Sequence, residues 1–271
     1  MSTENTNLTS TNDFASIESA VAGNYDFSIG DTLKEGWQRV GGLKGPFWAA
    51  ALVVFIFVLV AGLALSAIAN VLSLTNGTVG LVAQLLLQLA VMAAIYPFMA
   101  GIAMLGVRRA VDLPISYQEA FAYFAYISPL VVAGILMSIL ITLGFLLLII
   151  PGIYAYIFYI SPLVIAGVLM RILMTLGFLL LIIPGIYLSV GYLFTVQLVV
   201  EKNLSAWQAM ETSRKAVTHH WFKFFFTILI MGIIFLLSAI PLGLGLIWTY
   251  PMLVAVMGIL YRDTFGVQQA E

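Results

Sequence analysis

This sequence predicts an all-α fold: a polytopic transmembrane helix bundle of six to seven spans, with short interfacial amphipathic helices. Three observations predict it. The 271-residue chain is 62% hydrophobic and only 8% charged, whereas a soluble globular domain carries about 25% charged residues. The charges are also segregated. None falls between Lys44 and Arg108 or between Lys223 and Arg262, and only Arg171 falls between Glu119 and Glu201. Finally, the apolar runs in these silent stretches are continuous. They lack the alternation of a barrel strand, and most approach the roughly 20 residues that a membrane-crossing helix needs.

The elements follow in chain order. Residues 1–26 are rich in Ser, Thr and Asn and carry Glu4, Asp13, Glu18 and Asp26. They lack the basic and apolar regions of a signal peptide and read as a disordered polar tail, which leaves 27–271 as the membrane helical domain. The first span is 47–70, followed by a polar turn at 73–78. The second is 81–107, with a kink expected at Pro97 and an end at Arg108-Arg109. The third is 129–150, closed by Pro151-Gly152, and the fourth is 162–183, closed by Pro184-Gly185. A shorter apolar stretch, 186–200, ends at Glu201-Lys202. The last two spans are 221–240 and 246–261, divided by Pro241-Leu242-Gly243. Trp37, Trp48, Trp207, Trp221 and Trp248 fit an aromatic belt.

The third and fourth spans belong to a tandem repeat. Residues 121–153 align without gaps on 154–186, with 26 of 33 positions identical. Adding an odd number of crossings would invert everything downstream, so topology becomes the central question. The basic residues outside the spans are Lys34, Arg39, Lys44, Arg108, Arg109, Lys202, Arg214, Lys215, Lys223 and Arg262. The loops at 71–80 and 241–245 have none. The positive-inside rule then places every basic loop, and the N-terminus, in the cytoplasm if the chain crosses six times. In that reading one of the three middle segments does not cross, either as a hairpin at Pro151-Gly152 or by sharing 186–200 with its neighbour. The rival reading has seven crossings and an outward-facing C-terminal third.

A second pattern, apolar-Ser-x-x-(Asp/Glu/Gln)-small-apolar, starts at Phe27, Ile115 and Leu204. Ser28, Ser116 and Ser205 are read as helix caps, with the acid or amide three residues later reaching back in a capping box. Each would open a short amphipathic helix lying in the headgroup plane. In the first, Ile29, Leu33, Trp37 and Val40 form the apolar stripe.

Few residues could carry chemistry. Arg171, whose counterpart in the first copy is Ser138, sits mid-span, where an arginine costs roughly 2.5–3.5 kcal/mol on insertion scales. It is read as an anion or lipid-phosphate contact, or as a side chain that snorkels to the interface. Gln84 and Gln88 share a helix face. They either line a polar pathway or hydrogen-bond across helices at about 0.6–2 kcal/mol each. His219-His220 is read as an interfacial pair. The chain has no cysteine, which excludes thiolate metal sites and thiol nucleophiles. HExxH, GxSxG and Walker A motifs are absent, and no carboxylate lies within a span. A net charge of −1 with no basic patch gives no reason to expect nucleic acid. The expectation is a non-enzyme without cofactor or metal.

The stretch 180–217 carries Ile183-Pro184-Gly185-Ile186-Tyr187, Tyr192, Glu201 and Ser205 through Ala209 to Ser213. It resembles a group of small bacterial inner-membrane proteins, the YciC-like proteins and the membrane domain attached to some glycerophosphodiester phosphodiesterases. The resemblance implies a helical bundle and carries over no activity. The Pro-Gly-Ile-Tyr element occurs twice here, at 151–154 and 184–187, which departs from the family pattern. The sequence therefore reads as a non-enzymatic protein of a bacterial inner membrane. It would bind membrane lipids, a membrane-protein partner or a second copy, in envelope maintenance. The alternative is a transporter or channel for a small uncharged or anionic solute, using Gln84, Gln88 and Arg171.

Overall fold

The computed structural model describes residues 15–73, 78–146 and 184–267. Every regular element among them is helical. In order these are α1 (Ile17–Ala22), α2 (Ile29–Ser73), α3 (Thr78–Ala110), two 3-10 turns (Tyr117–Phe121 and Phe124–Tyr126), α4 (Ile127–Leu146), α5 (184–191), α6 (Thr195–Glu201), α7 (Ala206–His219), α8 (Trp221–Ala239) and α9 (Leu246–Phe265). Five described segments are long and apolar enough to cross a membrane: Ile29–Ile68, Gln84–Ala110, Tyr117–Gly144, Pro184–Glu201 and Trp221–Ala239. The expected span at 162–183, with Arg171, lies outside the described residues. The expected last span is not among the five. Arg262 and Asp263 cut the apolar stretch of α9 short, and eleven of its residues are buried.

The core is a three-helix contact of α2, α3 and α9. α2 and α3 form an antiparallel hairpin. Arg39 donates to the Arg109 carbonyl near one end, and the Phe57 and Phe98 rings meet at 4.9 Å further along. α9 runs antiparallel to the first half of α2 only. Arg262 pairs with Glu35 at 2.7 Å, and at the opposite end Trp48 Nε1 donates to the Ile247 carbonyl at 3.0 Å. Glycine makes the α3–α9 approach possible. A Cβ on Gly258 would stand 2.6 Å from the Val107 nitrogen and against the Gly106 carbonyl, and one on Gly106 would stand 2.8 Å from the Val254 carbonyl carbon.

Beyond Trp48 the hairpin continues without α9. At 1.5 Å per residue, 49–73 adds roughly 37 Å, against about 30 Å for a bilayer's hydrocarbon. This arm and its partner strand of the hairpin, 78–97, carry no charge. Leu52, Phe55, Leu63, Val71, Leu81 and Leu85 are exposed on it.

Two expectations are corrected here. The interfacial helix and the first span are one 45-residue helix with Pro46 inside it. The proline removes one backbone bond, but packing on α3 along both halves holds the helix continuous. Nor is 1–26 wholly a disordered tail. Residues 17–22 form α1, in which Ser19 N–H donates to Ser16 Oγ at 3.1 Å and Ser16 N–H to Ser19 Oγ at 2.8 Å. Ala20, Tyr25 and Phe27 are buried. Residues 1–14 lie outside the described residues.

A second layer holds α4, α5, α6 and α7. α4 runs antiparallel to the α5–α6 segment: the Tyr126 hydroxyl donates to Asn203 Oδ1 at 2.6 Å at one end, and Gly144 meets Gly185 at the other. α7 lies antiparallel along the same segment and also touches α4. Ser213 Oγ donates to the Gly191 carbonyl at 2.7 Å and accepts from Phe194 N–H at 3.2 Å. Tyr187 and Thr218 hydroxyls pair at 2.7 Å. The helix breaks at 192–194, and there Phe194 enters the core, its ring 5.6 Å from both Phe224 and Phe265.

Gly144 and Gly185 touch, so the described helices on either side of 147–183 already meet at one place. Deleting 151–183 would join Ile150 to Pro184, the same dipeptide as Ile183-Pro184. The shortened protein is expected to elute as a single species, with an unfolding temperature within a few degrees of the parent. Calorimetry and size-exclusion chromatography in detergent check this; aggregation would show that the body needs both copies.

Candidate functional site

The sites are built where helix ends converge. At the first, Glu35 on α2 accepts from Arg39 at 2.7 Å and from both terminal nitrogens of Arg262, at 2.7 and 3.0 Å. Arg262 also donates to the Ala110 carbonyl at 2.8 Å, satisfying a carbonyl left open at the C-terminus of α3. Asp112 accepts from Arg39 at 2.9 Å and Arg109 at 3.4 Å, and Arg108 pairs with Glu119 at 3.3 Å. Burial pushes the Asp263 carboxyl up, opposed by the neighbouring Arg262. Each arginine here is already matched by a carboxylate, so this cluster clamps α2, α3 and α9 together into a head.

The second convergence is the strap of residues 15–28. The Tyr25 hydroxyl donates to the Ala216 carbonyl at 2.8 Å, and burial raises its pKa. His219 Nε2 meets the Val21 carbonyl at 2.9 Å, and the His220 ring packs edge-on to Tyr25 at 4.9 Å. Lys223 donates to Asp26 and to the Phe27 carbonyl, and its hydrogen bond holds the Asp26 carboxyl below the usual aspartate range. The two histidines, expected to be merely interfacial, secure this strap.

A third polar group is buried. The Tyr261 hydroxyl donates to Glu201, and Lys202 stands 3.3 Å from the same carboxylate. One turn earlier, Gln197 is 4% exposed and its Oε1 has no hydrogen-bond partner. The i, i+4 spacing of Gln197 and Glu201 is legible in the sequence. Their meeting with α9 is not.

The predicted residues are placed as follows. Among the described residues Gln84 and Gln88 are exposed on the projecting half of α3. Arg171 lies outside the described residues. Ser28 Oγ accepts from Asp31 N–H at 3.4 Å. Ser116 Oγ accepts from Gln118 N–H at 3.1 Å, but it opens a 3-10 turn where an amphipathic helix was expected. At Ser205 the reach-back is present, with Gln208 Oε1 accepting from Ser205 N–H at 3.3 Å and from its hydroxyl at 2.9 Å. The helix it opens, α7, buries Ala206, Ala209, Met210 and Val217 and turns Trp207 and Lys215 outward.

Between head and projecting arm stands an aromatic collar that sequence reading did not assemble. Lys44 Nζ is 4.9 Å from the Trp248 ring centroid. Trp48 lies 6.1 Å from Tyr250 and 5.1 Å from Phe47. Next to it the α8–α9 turn exposes Ile240, Leu242 and Leu244. Trp48 and Trp248 were legible as belt residues. The meeting of Trp48 with Ile247 and Tyr250, and of Lys44 with Trp248, was not. Comparison with known proteins found no matching family model, no matching curated relative and no matching solved structure.

Proposed function

We propose that this chain is a non-enzymatic integral membrane protein. Its α2–α3 hairpin crosses the bilayer out and back, and its charge-clamped head binds lipid headgroups at the near surface. The observation that carries this reading is the charge-free continuation of α2 and α3 past the end of α9, beside a head that holds Arg39, Arg108, Arg109, Lys202, Lys223 and Arg262. By the positive-inside rule the head and N-terminus are cytoplasmic, which supports an even number of crossings. The resemblance around 180–217 favours a bacterial inner membrane and a part in envelope maintenance. The alternative remains a transporter or channel for a small uncharged or anionic solute, using Gln84, Gln88 and Arg171.

The test reverses outward charges that join no two helices, Lys34→Glu with Lys215→Glu; Lys215 pairs within α7 with Glu211, at 3.3 Å. Native mass spectrometry from mild detergent reads the anionic phospholipid retained. The parent is expected to keep bound anionic lipid and the double variant to lose most of it at unchanged unfolding temperature. Equal retention would overturn headgroup binding by this face.

A further inference from the structure

The α2–α3 hairpin fixes the depth of the α8–α9 turn. Trp48 Nε1, bonded to the Ile247 carbonyl, pins the base of the turn to α2 at residue 48. Tyr250 and Phe47 pack there too, with ring centroids 6.3 Å apart. α2 runs on for 25 residues, to Ser73, so the turn stops roughly 37 Å short of the far end of the hairpin. The sequence places the loops at 71–80 and 241–245 on one outer surface. In the structure the α8–α9 turn lies beside residue 48 of α2, far from the end of that helix at Ser73.

The turn is built tightly and faces outward. A Cβ on Gly245 would stand 2.8 Å from Ser238 Cα, and Leu242 and Gly243 both have positive φ, 52° and 77°. A leucine in the left-handed region is uncommon and costs about 1–2 kcal/mol. Here that conformation holds the Leu242 side chain 96% exposed, between Ile240 at 76% and Leu244 at 60%. Behind this apolar tip stands the collar of Trp48, Trp248 and Tyr250, with Lys44 at its rim. No acidic residue occurs from Lys44 through Val111. An apolar tip, an amphipathic aromatic ring and a lysine in that order match the layers from acyl chain through glycerol to phosphate. Lys44 lies four residues before Trp48, roughly 6 Å along the helix, so the tip reaches only the depth of an interfacial element, about 5–10 Å.

We propose that the α8–α9 turn is a lipid-docking finger that dips into the near leaflet and does not cross the membrane. Its occupant is the headgroup–acyl boundary of that leaflet, with Lys44 beside the lipid phosphate. This rests on reading the α2–α3 hairpin as the crossing.

The chain has no cysteine, so single substitutions report without background. Thr78→Cys marks the far end of the hairpin, Lys215→Cys marks the head, and Leu242→Cys tests the finger. Each is reconstituted at uniform orientation into phosphatidylglycerol–phosphatidylethanolamine vesicles and treated with an impermeant maleimide. Thr78→Cys and Lys215→Cys are expected to label from opposite sides, and Leu242→Cys from neither until detergent is added. A bimane attached at Leu242→Cys is expected to be quenched at least twofold more by lipid brominated near the glycerol than near the terminal methyl. Labelling of Leu242→Cys from the Thr78 side means the turn crosses, and labelling from the Lys215 side means it sits in water. Either result overturns the finger while leaving the hairpin reading intact. If Thr78→Cys and Lys215→Cys label from the same side, the hairpin reading itself fails.

Discussion

Gly258→Leu is expected to abolish the folded bundle, and Gly258→Ala to weaken it by about 2 kcal/mol. The cause is contact between main chains. A Cβ at 258 would be driven against the Gly106 carbonyl and to 2.6 Å from the Val107 nitrogen. Neither is the end of a flexible side chain, so α3 and α9 must separate along a contact that also carries α2. Alanine's better helix propensity returns only about 1 kcal/mol. Gly41→Ala and Gly232→Ala provide the contrast, because both sit inside helices away from proline and a Cβ at either meets nothing within 4 Å. They are expected to leave stability unchanged or raise it by up to about 1 kcal/mol. The temperature at which heated protein stops eluting as a single species reads all four. A Gly258→Ala protein as stable as the parent would mean the helices do not approach this closely.

Arg262→Gln is expected to cost about 2 kcal/mol. Removing one partner of a fully buried pair costs roughly 3–5 kcal/mol, and the partial exposure of Arg262, 22% of its side chain, lowers that. The variant leaves Asp263 and the Ala110 carbonyl without their donor, and Glu35 with Arg39 alone. Arg262→Lys is expected to rescue little, since one ammonium cannot reproduce a planar fork serving three acceptors. Glu35→Gln should lose much of its own effect in the Arg262→Gln background. A double-mutant cycle of thermal stabilities measures this coupling, and strictly additive losses would show that the two side chains act independently.

What could be read from the chain divides along a physical line. α8 lies within a residue of the expected 221–240, and α4 opens within two residues of the expected 129, because long charge-free runs bounded by charge or proline leave little choice. Hydropathy cannot distinguish burial in lipid from burial in protein. For that reason the apolar run at 246–261 could not reveal that Met252, Ala255, Val256 and Ile259 are buried against the protein's own helices. The same ambiguity hid the strap, where a few apolar side chains sit in a polar stretch too short to show a period. For Gln84 and Gln88, spacing gives a shared face but not what the face looks toward. The Tyr261–Glu201 bond and the Lys44–Trp248 contact join residues far apart in the chain, and no local pattern specifies such meetings.

The meeting of Gly144 with Gly185 has a consequence for how this chain can change over generations. Two nearly identical stretches in tandem give recombination matched templates, so copies can be gained or lost in a single event. At most points in a folded chain such an event would separate neighbours or reverse everything encoded after it. Here the described ends on either side of the second copy already touch at Gly144 and Gly185, so the helices before and after it can stay neighbours when a copy is lost. The gene thus has one place where its length can change while the packing between the helices on either side is inherited intact.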